Sequence, residues 1–190
     1  MWQRCGHVVV SICVLSLGLL LSAAPAATAP RLASASYAVD GGNVRDRAQI
    51  EAALAASSFD WSLLPQIQVH VRSGVLARSA PGHVWLSPEL LATGRFAWAV
   101  IQDEFAHQVD FFLLDEGDRA LLNATLNGDS WYGGGLPHAR RGVERFTSTF
   151  VWAYWPAREN SYRPRTLRDE SAALEPRRFR SLLAQMLSPE

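Results

Sequence analysis

One segment restricts the possible folds of this chain more than any other. Residues 95–114, RFAWAVIQDEFAHQVDFFLL, place Phe96, Ala99, Val100, Phe105, Val109, Phe112 and Leu113 at the recurrence of a helix with a broad apolar face. Such a helix belongs at the centre of a domain. Yet Asp103, His107 and Asp110 stand at i, i+4 and i+7, on one stripe of the same helix. Burying groups of this kind without partners costs on the order of several kcal/mol each. The fold must therefore bring partners to them, and a bound cation is one such partner.

The remaining pattern alternates short strands with helices. Val44, Ala48, Ile50 and Leu54 recur at helical spacing, which predicts a helix over residues 44–57 capped by Asn43 or Asp46. Residues 66–72 alternate polar and apolar side chains as a half-buried strand does. His83-Val84-Trp85-Leu86-Ser87 predicts a second, edge-type strand that Pro88 stops. Further helices are expected over residues 118–126, capped by Asp118, over 143–155, ending at Pro156, and over 176–187. Between them, residues 127–142 hold Trp131-Tyr132-Gly133-Gly134-Gly135, and a loop this long in a compact domain is more often functional than idle. The expected fold class is α+β: a small mixed sheet, a buried central helix and a mainly helical C-terminal part. One domain is assigned to residues 44–190, with the Ala-, Ser- and Gly-rich residues 30–43 as a loose leader.

The N-terminal stretch has Arg4, an apolar run from Val8 to Leu21 and small residues around Ala23 to Ala29. This three-part layout predicts a signal peptide over residues 1–29. The run is shorter than the roughly 20 residues of a stable anchor, so no lasting membrane anchor is expected and the protein should be secreted or extracytoplasmic. Pro30 disfavours cleavage at Ala27-Thr28-Ala29, which leaves sites after Ala26 or Ala35 open. Both cysteines, Cys5 and Cys13, fall inside this segment, so neither a disulfide nor a thiolate ligand is expected after it. Charge is balanced, with 18 arginines against 18 acidic residues and no lysine, which argues against a nucleic-acid partner. The arginines of the last third alternate with Glu159, Asp169, Glu170 and Glu175, the pattern of a salt-bridged surface.

Two ligands one helical turn apart converge on a single ion, and a glutamate beside the first faces the water that the ion holds. Here the string is Asp103-Glu104-Phe105-Ala106-His107, with aspartate where the HExxH motif has histidine. IQDEFAHQVDFF resembles the active-site helix of zincin metallopeptidases, and the order of elements over residues 44–155 is similar to that fold. The resemblance implies a gluzincin-type site. His107 and Glu144 would be metal ligands, Asp103 a substitute ligand and Glu104 the general base. Asp110 would orient His107 or stand in as a ligand, and Ser148 would hydrogen-bond a ligand. His138 and Tyr132 would stabilise an oxyanion. The implied cofactor is a divalent metal, zinc first. Two anionic ligands weaken its Lewis acidity and favour manganese, iron or calcium, and a site that holds no metal is the alternative.

Plainer readings exist for each residue. Asp103 and His107 form an i,i+4 ion pair, Glu144 complements a helix dipole, and His138 is an exposed loop residue. His70 and His83 read as edge or surface residues. Trp152, Tyr154 and Trp155, beside Phe146 and Phe150, read as core rather than as a carbohydrate platform. The expected function is a secreted metal-dependent peptidase-like protein, with an extended peptide or protein substrate pairing along residues 83–87. The alternative is an inactive zincin-fold pseudoenzyme serving as an exported binding or regulatory module. A weaker third reading is a wall-associated protein that contacts polysaccharide.

Overall fold

The computed structural model describes residues 36–188; the expected signal peptide and residues 30–35 of the expected leader lie outside them. The strands are β1 (Tyr37–Gly41), β2 (Ile67–Val71), β3 (Arg78–Ala80) and β4 (His83–Leu86). The helices are α1 (Val44–Ala56), α2 (Pro88–Leu91), α3 (Phe96–Leu113), α4 (Glu116–Thr125), α5 (Gly142–Tyr154) and α6 (Pro176–Met186). Among the described residues, six helices and a four-stranded mixed sheet make an α+β fold, as the patterning suggested. Among the described residues, no helix is long and apolar enough to cross a membrane.

The sheet has the order β1-β2-β4-β3. β1, β2 and β4 run parallel, and β3 is antiparallel to β4. β1 corrects part of the expected loose leader. Tyr37 and Val39 pack on the core and the Tyr37 ring meets Phe105 edge-on at 6.2 Å, so burial orders a segment too short to show a period of its own. β4 is paired on both sides, by β2 and β3, and is therefore no edge strand. The edges are β1 and β3, and β3 is joined to β4 through Pro81 and Gly82 (φ 79°), where proline fixes one turn residue and glycine adopts the left-handed one. Gln108 of α3, fully buried, pins this hairpin: its Oε1 accepts from Gly82 N at 2.9 Å and its Nε2 donates to Ala80 O at 3.1 Å.

Val69, Val71, Val84 and Leu86 point into the core, while Asp40, His70, His83 and Trp85 share the opposite face by register. His70 and His83 thus lie on interior strands but on the outward side. α3 is buried nearly all round between residues 101 and 106 because the sheet, α1 and α5 pack against different sides of it. Ala99, Phe105 and Val109 of the expected face are buried, but Phe96 is 76% exposed, so the stripe runs differently from the one the spacing suggested. α4 is capped by Asp115 with Asp118 closing the capping box, where Asp118 had been expected as the cap. Phe146, Phe150 and Trp155 are buried and Tyr154 packs on Phe150, so these four aromatics are core, whereas Trp152 is only half-buried and lies outside the core clusters.

Residues 127–142 return to α5 through a close approach. Gly142 N donates to Ser130 O at 2.8 Å and Val143 N to Trp131 O at 3.1 Å, which satisfies donors that an α-helix start leaves open. Glycine is needed there for space: a Cβ on Gly142 would collide with Asn123 Oδ1 and lie 2.9 Å from the Trp131 ring. This joint sets the position of the first turn of α5.

Candidate active-site cleft

A cleft of about 410 Å³ is lined by Asp103, Glu104 and His107 of α3, Glu144 of α5, Ser79 of β3, and His138 and Arg141 from the loop before α5. Residues 40 positions apart in sequence thus face one space because α3 and α5 pack side by side. Glu144 sits in the first turn of α5, where the helix dipole favours a carboxylate.

Glu144 is the most engaged of these groups. Its Oε2 lies 3.7 Å from His107 Nε2 and 2.9 Å from His138 Nε2, and its Oε1 accepts from Arg141 at 2.9 Å. The other ring nitrogen of His138 lies 3.0 Å from Glu170 Oε1, and Ser148 Oγ donates to Glu170 Oε2 at 3.0 Å. Burial pushes His138 down, yet the Glu170 hydrogen bond and the Glu144 charge outweigh it and raise the pKa above the usual histidine value. With both nitrogens on carboxylates, His138 steadies Glu144 and Glu170. Ser148 serves Glu170 rather than a group of the DEFAH string.

Asp103 is buried, and its Oδ1 has no hydrogen-bond partner. Burial pushes its carboxyl up to about 7, with His107 opposing and the neighbouring Glu104 adding to the rise. Burial likewise pushes Glu104 up to about 7, against a lowering hydrogen bond from Ser79 and with the Glu144 charge adding. Ser79 Oγ lies 2.7 Å from Glu104 Oε2 and 2.8 Å from the Glu104 carbonyl. Ser79 has one proton to give. It can donate that proton to the Glu104 carbonyl or to the Glu104 carboxyl, and the second arrangement favours the ionised carboxylate.

Asp110 does not face His107 through any hydrogen bond. It is fully buried, and its carboxylate accepts from Arg119 Nε (2.8 Å), Trp131 Nε1 (3.0 Å) and Tyr132 Oη (2.9 Å). It ties α3 to α4 and to the aromatic loop, and it accepts from the hydroxyl of Tyr132, which also lines the cleft.

Four participants escaped the sequence reading: Ser79, Arg141, Tyr162 and Glu170. Arg141 carries an i,i+3 relation to Glu144 that spacing could have raised. Ser79 lies on a three-residue strand, Tyr162 in irregular chain after α5 and Glu170 at the start of a three-residue 3-10 turn, all too short for a period to be read. Burial raises the pKa of the Tyr162 hydroxyl, and the charges of Asp103 and Glu104 add to it, which places it beside those carboxyls. Among the described residues, no three His, Cys, Asp or Glu side chains are grouped closely enough to hold a metal ion as they stand. Comparison with protein-family models, with curated proteins and with solved structures finds no match.

Proposed function

We propose that the cleft is the active site of an exported, zincin-like, metal-dependent peptidase. The observation that carries this reading is the gathering of Asp103, Glu104, His107 and Glu144 around one cleft beside the sheet edge β3, with one buried Asp103 oxygen left without a partner. Two carboxylates and an imidazole suit a divalent cation, zinc first, and an orphaned buried oxygen is the kind of group that such a cation satisfies. Asp103, His107 and Glu144 would hold it, after Arg141 and His138 release the Glu144 oxygens. The cation would supply Lewis acidity, polarising a scissile carbonyl and lowering the pKa of water.

The chain's own groups supply the rest. Glu104, with a pKa near 7, accepts a proton from the attacking water and returns it to the departing amine. Ser79 orients that carboxyl through its hydrogen bond. An extended peptide adds to β3, whose outer edge is unpaired, and not to β4 as the sequence suggested.

A second reading, an inactive binding module, draws support from the Arg141 and His138 contacts that already neutralise Glu144. Elemental analysis and calorimetric titration of the purified protein decide between them. The peptidase reading expects about one zinc per chain, lost in His107→Ala and Glu144→Gln, and peptide hydrolysis abolished in Glu104→Gln. Absence of bound metal in the wild type and in Arg141→Gln after zinc loading would remove it.

A further inference from the structure

A second cavity of about 430 Å³ shares His138 with the cleft and is lined by Tyr162, Arg163, Arg165, Arg168, Asp169 and Glu170. It opens on the far side of the contacts that link Glu144 through His138 to Glu170. From it we propose that the trough binds a carboxylate of the substrate, so that the protein takes peptides bearing an acidic side chain or a free C-terminal carboxylate. This assignment of substrate class rests on the peptidase reading of the cleft.

The arginines there lack the partners that the sequence led us to expect. Among the described residues, Arg72, Arg95, Arg119, Arg140 and Arg141 each have a carboxylate within 4.0 Å, whereas Arg163, Arg165 and Arg168 have none. The acids beside them are committed elsewhere. Asp169 accepts from the backbone N–H of Arg165 (2.5 Å) and Thr166 (3.0 Å) and from Thr166 Oγ1 (2.8 Å). Glu170 is taken by His138 and Ser148. The expected salt-bridged surface is absent here, and a local excess of positive charge takes its place.

The cluster is also held in position. The Arg163 guanidinium lies 5.5 Å from the Trp152 ring centroid, a cation–π distance. Asp169 ties the turn that carries Arg165 and Arg168. A guanidinium fork matches a carboxylate with two parallel hydrogen bonds, and a preset one loses less freedom on binding. The cleft itself is lined by Asp103, Glu104 and Glu144. Of the cleft's own arginines, Arg141 is taken by Glu144 and Arg78 lies over the Trp85 ring, so a substrate carboxylate is drawn to the arginines of the trough.

The test measures binding, so that it does not depend on turnover. Fluorescent hexapeptides identical except for an internal Asp or Asn, each with a free or amidated C-terminus, are titrated into full-length Glu104→Gln protein by anisotropy, with zinc and with chelator. We expect the acidic peptides to bind about tenfold tighter or more than their neutral counterparts, the scale of hydrogen bonds between charged groups. The Asp and C-terminal arms show which carboxylate is read. Arg165→Gln/Arg168→Gln removes the preference, Arg163→Gln weakens it, and Arg177→Gln/Arg178→Gln, outside the trough, leaves it. Equal binding of all four peptides overturns the proposal, as does an equal loss in the Arg177/Arg178 variant, which would indicate unspecific attraction. Acid preference in a protein whose wild type cleaves nothing retains the trough and rejects only the peptidase reading.

Discussion

Asp103→Asn should stabilise the metal-free protein at alkaline pH, although it removes a group assigned to the active site. Burial raises this carboxyl from 3.8 to about 7. The folded state thus holds the proton more tightly than the unfolded state, so stability from this group is greatest in acid. It is lost as pH rises from the unfolded value towards the folded one, and the loss is complete above about 7. At about 1.4 kcal/mol per unit, this span corresponds to roughly 4 kcal/mol. Water entry and local relaxation reduce it, so a gain of about 2–4 kcal/mol is expected at pH 8. For a domain of this size that is roughly 5–15 °C in Tm. Asparagine has the same shape and no charge to desolvate, and its amide can reach the neighbouring Tyr162 hydroxyl. The assay is urea unfolding with EDTA, wild type against variant, at about pH 4 and pH 8. The gain must nearly vanish at the acid end. A variant less stable than wild type at both pH values refutes the reasoning, because it would show that the ionised carboxylate is stabilised by contacts. If Asp103 holds zinc as proposed, the order should reverse with zinc present.

The other predictions concern the supports of the site. Asp110→Ala leaves Arg119 half-buried without its carboxylate and should cost about 3–5 kcal/mol, with a red shift of Trp131 fluorescence, read by urea unfolding. Gly142→Ala forces a methyl against Asn123 and Trp131; calorimetry should show a loss of about 1–3 kcal/mol or more. Because the Glu170 hydrogen bond helps to raise the His138 pKa, Glu170→Gln should move the His138 titration to lower pH in proton NMR, and an unmoved titration would count against that link. Ser79→Ala removes a hydrogen bond that lowers the Glu104 pKa, so the acid limb of kcat/KM should shift to higher pH while the fold stays intact by circular dichroism.

Local chemistry made much of this molecule legible before any coordinates. The helices α1, α3 and α5 and the strands β2 and β4 follow from sequence pattern, because apolar residues recur where an element meets its partners, although α3 is buried on more than the one face its spacing suggested. The capping pair Asn43 and Asp46 and the stop at Pro156 belong to the same level. Asp103, Glu104 and His107 could be placed on one helix because their spacing is covalent. What lies opposite them could not. Ser79 reaches the cleft from a short hairpin, Glu170 holds His138 from a short turn after α5, and Asp110 turns to Arg119, Trp131 and Tyr132 because α4 and the aromatic loop pack there. β1 and the edge status of β3 likewise depend on which backbone each strand finds. A period reports which face of an element is buried. Only the packed chain determines what that face is buried against, and electrostatics at a site depend on the neighbours.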